Sequence, residues 1–149
     1  MKFVKSHKTE LNSFIFITLH FPGFEVRDGT DDGVTYLVKK HPEILMFKLR
    51  RGEFGTMFQL GSEFTSNGLL QILQFCGSTL RSLDISVKNI TGEDLSEYKG
   101  ILPCLEILNM SYCTQLTNKG LLQILQLCGR TLRSLNLLKT EITGENLSV

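Results

Sequence analysis

Cysteine and histidine are the side chains in this sequence best suited to metal binding or nucleophilic attack, and their spacing argues against both. Cys76, Cys104, Cys113 and Cys128 form no C-x-x-C pair, and His7, His20 and His41 lie apart from them in the first third of the chain. A protein zinc site brings several such ligands together and usually shows paired spacing in sequence, so no metal is expected. The chain has no G-x-S-x-G, no Walker loop, no H-E-x-x-H and no H-x-E with C-x-x-C. Acyl transfer, phosphoryl transfer and metal-assisted hydrolysis therefore have no visible machinery. The expectation is no catalytic residue, no cofactor and no enzyme, with the thiols serving as small buried apolar groups.

A second set of residues suits recognition. Ser82, Asp84 and Ser86, then Ile107, Asn109 and Ser111, then Ser134, Asn136 and Leu138 recur two apart, with apolar residues between them. On an extended chain such residues share one face. Hydroxyl, amide and carboxylate groups on that face could bind a partner through hydrogen bonds. Asp84, Asn109 and Asn136 should fall in one column, with neighbours about 4.8 Å apart. Tyr112 lies just past its strand, where an aromatic ring with a hydroxyl can anchor a partner. Met46, Lys48 and Arg50 would continue the same surface on the amino-terminal side.

The elements that place these residues follow from a repeat. "GLLQILQFCGSTLRSLD" begins at Gly68 and "GLLQILQLCGRTLRSLN" at Gly120, 52 residues later; residues 68–97 and 120–149 agree at 20 of 30 positions. A half-period lies inside it. "LRSLDI" (80–85), "LEILNM" (105–110) and "LRSLNL" (132–137) start 25 and 27 residues apart, each apolar at positions one, four and six. Leu83 with Ile85, Leu108 with Met110, and Leu135 with Leu137 are inward pairs of short strands. A turn, an apolar anchor (Ile90, Leu116, Ile142) and a helix start at Thr91, Thr117 or Thr143 come next. Thr91 with Asp94 fits a capping box. After "TNKG", Leu121, Leu122, Ile124, Leu125 and Leu127 form an apolar stripe that Gly129 can end. In the alternate unit Leu95, Tyr98 and Leu102 are expected on a helix ending near Pro103. No such unit can bury its inner face alone, so the units must stack.

The pattern resembles leucine-rich repeats. "LEILNMSYCTQLTNKGLLQILQLCG" (105–129) resembles the cysteine-containing subtype of F-box substrate receptors and the ribonuclease-inhibitor-like group. Leu105, Leu108, Met110, Cys113, Leu116, Thr117, Gly120 and Leu121 match that motif in order, with Asn118 replacing the usual acidic residue. Lys88 and Thr140 stand where the cysteine would be in the neighbouring units. The resemblance implies an α/β leucine-rich repeat solenoid, a horseshoe with parallel strands on the concave side and helices on the convex side. It also implies a protein-interaction module. The leading expectation is the substrate-recognition part of an F-box-type ubiquitin-ligase receptor, or a relative lacking the F-box. The alternative is an immune or inhibitor-like ligand sensor. The expected partner-binding residues are Ser82, Asp84, Ser86, Asn109, Ser111, Tyr112, Ser134 and Asn136.

Residues 1–52 read as degenerate amino-terminal repeats and 53–149 as regular ones, truncated in the last unit. "TDDGVTYLVKKHPEILMFKL" (30–49) fits a helix leading into a strand, and Phe16, Leu19 and Phe21 suggest the strand of a first unit. "RGEFGTMFQLGSEF" (51–64) reads as an inserted loop or decayed unit, with Phe64 in the anchor place of Leu116. Repeat and chain stop together at Val149, which leads us to expect a fragment or a solenoid end that stacks on another molecule. Composition adds exclusions. The 149 residues are 42% apolar with a net charge of +1, giving no bulk attraction to nucleic acid or an anionic membrane. Only Lys48, Arg50 and Arg51 favour nucleic acid. "NSFIFITLHF" is shorter than the roughly 20 residues a membrane helix needs, and no cleavage site follows it. The expected address is cytoplasmic or nuclear. The expected partner is a protein, and a ligase adaptor would need an F-box outside this chain.

Overall fold

The computed structural model describes residues 15–18, 23–27, 30–50, 64–86 and 89–144. Six strands form one sheet in chain order: β1 (Ile15–Thr18), β2 (Gly23–Arg27), β3 (Met46–Arg50), β4 (Ser82–Asp84), β5 (Ile107–Asn109) and β6 (Ser134–Asn136). β1 runs antiparallel to β2, and every step from β2 to β6 is parallel. Parallel neighbours need a crossover that returns the chain to its starting edge. Helices α1 (Asp31–Lys40), α2 (Ser66–Cys76) and α3 (Asn118–Cys128) and a 3-10 helix (Glu93–Glu97) provide those returns. They contact one another in the order α1, α2, 3-10 helix, α3, matching the order of the strands they follow.

One hydrogen-bond pattern repeats at each of the last three strand joins. The carbonyl of Leu45 accepts from the backbone N–H groups of Arg81 and Ser82, at 2.7 and 3.1 Å. That of Arg81 accepts from Glu106 and Ile107 at 2.8 and 3.0 Å, and that of Glu106 from Arg133 and Ser134 at 2.8 and 3.0 Å. The register Leu83–Leu108–Leu135 follows, so each leucine of the repeat sits beside its counterpart.

The helix starts repeat as well. The Oγ1 of Thr30 accepts from the N–H of Gly33 at 3.0 Å and that of Thr117 from Gly120 at 2.9 Å, while Thr65 Oγ1 accepts from Asn67. Such caps satisfy amide groups that the first helical turn otherwise leaves unpaired. The threonines of successive units are also tied to the unit before. Thr65 Oγ1 donates to Asp31 Oδ2 at 2.6 Å, Thr117 Oγ1 donates to Glu93 Oε1 at 3.0 Å, and Asn118 Nδ2 donates to Thr143 Oγ1 at 2.9 Å. Asn118, which departs from the acidic residue of the motif, thus serves the next threonine with an amide.

Between the two layers lies one apolar core. Val34, Leu37 and Val38 of α1, Leu69, Ile72, Leu73 and Cys76 of α2, and Leu121, Ile124 and Cys128 of α3 pack with Phe47, Leu83, Ile85, Leu108 and Met110 from the strand side. Phe64 is fully buried in its anchor place. Backbones come close where one unit meets the next: Gly92 has φ +80°, and a Cβ on Gly120 would collide with the Thr91 carbonyl oxygen. Glycine is needed at both positions, for conformation at one and for space at the other.

The structure departs from the sequence expectation in two places. The segment carrying Leu95, Tyr98 and Leu102 is a 3-10 helix that stops at Glu97, not an α-helix reaching Pro103. Gly92, not Thr91, is its N-cap, and the Thr91 hydroxyl accepts from Glu93 N–H instead. Gly100 and Pro103 disfavour helix, and Pro103 pushes Leu102 towards extended backbone. Leu95 and Leu102 are buried nonetheless. Second, the strand around Phe16 runs antiparallel at the edge, and β2 makes the parallel pairing to β3. Leu19 and Phe21 lie outside the described residues, as do 51–63, Lys88 and 145–149. In the last unit Leu135 is 37% exposed, whereas its counterparts Leu83 and Leu108 are buried, as a solenoid end with nothing stacked on it would leave it. Among the described residues no helix is long and apolar enough to cross a membrane.

Candidate binding surface

Alternation along each strand divides the sheet into a packed face and an open one. On the open face the register aligns two rows. Met46, Ser82, Ile107 and Ser134 form the first, and Lys48, Asp84, Asn109 and Asn136 the second. The residues expected from sequence to line a recognition face are thus brought together from four strands. Ser134 and Asn136 are exposed, and Ser82, Asp84, Ser86 and Asn109 are half-buried.

The polar column has work to do within the fold. Asp84 Oδ1 accepts from Ser86 N–H at 3.1 Å, Asn109 Oδ1 from Ser111 N–H at 3.1 Å, and Asn136 Oδ1 from Leu138 N–H at 3.0 Å. Asp and Asn commonly close a turn onto their own backbone two residues on. Here that turn ends three successive strands. Asp84 Oδ2 also lies 3.7 Å from Lys48 Nζ. The amide nitrogens of Asn109 and Asn136 and the hydroxyls of Ser82 and Ser134 are the polar groups these turns leave unused.

Ser111 is buried, 7% exposed, so it offers a partner little surface. Tyr112 is 49% exposed at the carboxyl-terminal rim of the sheet, with φ +60°, and Lys139 at the equivalent place of the next unit has φ +59°. Left-handed backbone at non-glycine residues costs about 1–2 kcal/mol, so the rim geometry is imposed by its neighbours. One of them is the bond from Tyr112 N–H to the Leu138 carbonyl at 2.7 Å.

Apolar residues complete the face. Met46 is 47% and Ile107 48% exposed, and Leu138 projects at the rim beside Tyr112. Ile107 was legible as facing outward but not as a candidate contact. The signal was available: isoleucine stands where the flanking units both carry serine, Ser82 and Ser134.

The four cysteines are free thiols. Burial pushes Cys76 and Cys128 up to about 11, and Cys113 Sγ donates to the Ile85 carbonyl at 3.2 Å. No cluster of three metal-ligating side chains occurs among the described residues. Comparison with protein-family models, with curated proteins and with solved structures finds no match.

Proposed function

We propose that the chain is a protein-interaction module built of leucine-rich repeats, and that its partner docks on the open sheet face around Ile107. One observation carries the reading. A large aliphatic side chain stands half-exposed on the open face of the penultimate strand, with serine hydroxyls on both sides and an asparagine column beside it. An apolar centre ringed by polar groups is the usual anatomy of a recognition patch.

The finer architecture is a horseshoe with the strands on its concave side and the helices on its convex side. Its support is the chain-order pairing of strands, the parallel row of helices and the recurring cap and turn bonds. Within that class we favour the recognition part of an F-box-type ubiquitin-ligase receptor, or a relative lacking the F-box. The support is the motif at 105–129, whose Leu105, Leu108, Met110, Cys113, Leu116 and Leu121 are all buried. Handing a captured protein to a ligase adaptor would require an F-box outside this chain. Protonated, buried thiols suit a reducing compartment, in keeping with a cytoplasmic or nuclear address.

Proximity labelling in cells, followed by affinity measurement with each purified candidate, tests the reading. A true partner should bind Ile107→Arg at least about tenfold more weakly, since a charge would replace an apolar contact at the patch centre. Ile107 is exposed, so the melting temperature should hardly move. Partners that bind both Ile107→Arg and Ser134→Arg like the parent chain would refute docking on this face.

A further inference from the structure

At the amino-terminal ends of β4, β5 and β6, away from the rim that carries Tyr112, lies a groove of about 340 Å³. Arg81, Arg130 and Arg133 line it around the single carboxylate of Glu106, with Pro103 and Cys104 alongside. Arg81 Nη1 is 3.0 Å from Glu106 Oε1, and Arg133 Nε is 4.0 Å from Glu106 Oε2. Arg133 is 81% exposed at its side chain, so its link to Glu106 is loose. Three guanidinium groups against one carboxylate leave two positive charges in one depression of a chain whose net charge is +1.

Stability gives no reason for this excess. Exposed ion pairs contribute little, and one carboxylate shared by two guanidinium groups leaves the third repelled by its neighbours. The sequence places the charges systematically. Arg81 and Arg133 hold the same repeat position two units apart, on either side of Glu106. Two strand spacings are about 10 Å, a gap two converging arginine side chains can close on a common anion. Arg130 is one of the ten positions at which residues 120–149 depart from 68–97, which have Ser78 there. That change supplies the third guanidinium.

We propose that this groove binds a phosphorylated serine or threonine side chain of a protein partner. A phosphate monoester carries close to two negative charges and three acceptor oxygens, matching the two uncompensated charges and the fork geometry of arginine. The groove exceeds the volume of one phosphate, and Pro103 and Thr131 give the adjoining peptide something to lie against. A nucleic acid would need a basic stripe extended along its backbone, and the charge here is confined to one depression. The site is separate from the Ile107 face.

A fluorescent glycine-flanked phosphoserine peptide and its unphosphorylated twin, titrated against the 149-residue chain by anisotropy, provide the test. The phosphopeptide should bind and the twin should not. Arg130→Ser, which installs the residue of the first copy, and Arg133→Ser should each weaken binding about three- to tenfold with melting temperatures unchanged. Glu106→Gln should tighten it, because a competing carboxylate is removed. Ile107→Ser should leave it unaltered, which keeps failure at this groove distinct from failure at the open face. Equal binding of the twin, no binding of the phosphopeptide up to millimolar protein, or indifference to both arginine variants would overturn the proposal. So would tighter binding of a thymidine dodecanucleotide through the same arginines, which would make the groove a nucleic-acid contact.

Discussion

Leu108 and Leu135 occupy the same repeat position on adjacent strands, one 1% and the other 37% exposed. Truncating each to alanine therefore measures the same chemistry in two environments. Removing three carbons from a buried leucine forfeits roughly 2.4 kcal/mol of transfer free energy, at about 0.8 per methylene. A cavity term adds to this when neighbours cannot collapse. Leu108 packs with Leu83, Ile85, Leu95, Leu105 and Ile124 around a residual void of only about 10 Å³, and the sheet register and helix caps hold those neighbours in place. A cost of about 4 kcal/mol follows, near the upper part of the range for such truncations. Leu135 has already kept part of its side chain in water, and its cavity would open to solvent, so about 1 kcal/mol is expected. For a chain of this size the melting temperature should fall by roughly 10 °C or more for Leu108→Ala and by about 2–4 °C for Leu135→Ala. Differential scanning calorimetry on both variants is the assay. Equal shifts would show that β6 is covered as deeply as β5, and the account of an exposed last strand would be wrong.

Two further outcomes follow from the same geometry. Glu93 accepts from Thr117 Oγ1 at 3.0 Å and from Lys119 Nζ at 3.3 Å, which hold its carboxyl below its ordinary value of 4.5. The folded chain thus binds this proton less readily than the unfolded one, so ionised Glu93 adds stability above pH 4.5 that is lost as pH falls through its folded pKa. Melting curves of Glu93→Gln and the parent chain should separate at neutral pH and converge in acid; a gap that widens in acid would contradict this. Thiol labelling with a disulfide reagent at neutral pH should modify Cys104 first, since it is half-buried while Cys76, Cys113 and Cys128 are buried. Burst labelling of two or more thiols in the native chain would place a buried cysteine at the surface.

How much was legible in sequence varies with the range of the interaction. The leucine spacing of 80–85, 105–110 and 132–137 determines which side chains turn inward, and it carried the strand positions and the parallel sheet. Thr117 and Gly129 are local cap signals, read by the helix they bound. The segment after Thr91 was misjudged because three apolar residues at helical spacing outweighed Gly92, Gly100 and Pro103, whose backbone restrictions prevailed. The asparagine column was read as outward-facing hydrogen-bonding groups; that its oxygens close turns depends on backbone geometry past each strand, which residue type alone does not report. The arginine groove was missed for a different reason. Arg81, Glu106, Arg130 and Arg133 are each ordinary rim residues along the chain, and their meeting depends on units stacked 25 to 27 residues apart.

The duplication explains why both candidate surfaces centre on β5. Copying a two-unit block places like residues at every second strand, so Ser82 and Ser134 flank Ile107, and Arg81 and Arg133 flank Glu106. The block edges supply a matched pair of like residues, and the unit between them supplies the residue that differs. The return that leads into β5 is also the short one, a 3-10 helix in place of an α-helix, and it ends in Cys104 where the returns into β4 and β6 end in Thr79 and Thr131. Those threonines donate back to carbonyls of the preceding unit, Thr79 to Ile44 at 3.0 Å and Thr131 to Leu105 at 2.8 Å, filling the space before each strand. At Cys104 no hydroxyl makes that link, and the groove lies there. A surface made of identical units would present the same contact at every strand and could not fix a partner's register. The singular unit between two copies breaks that degeneracy, so specificity should respond to substitutions at Glu106 and Ile107 more sharply than to the same substitutions at their duplicated neighbours.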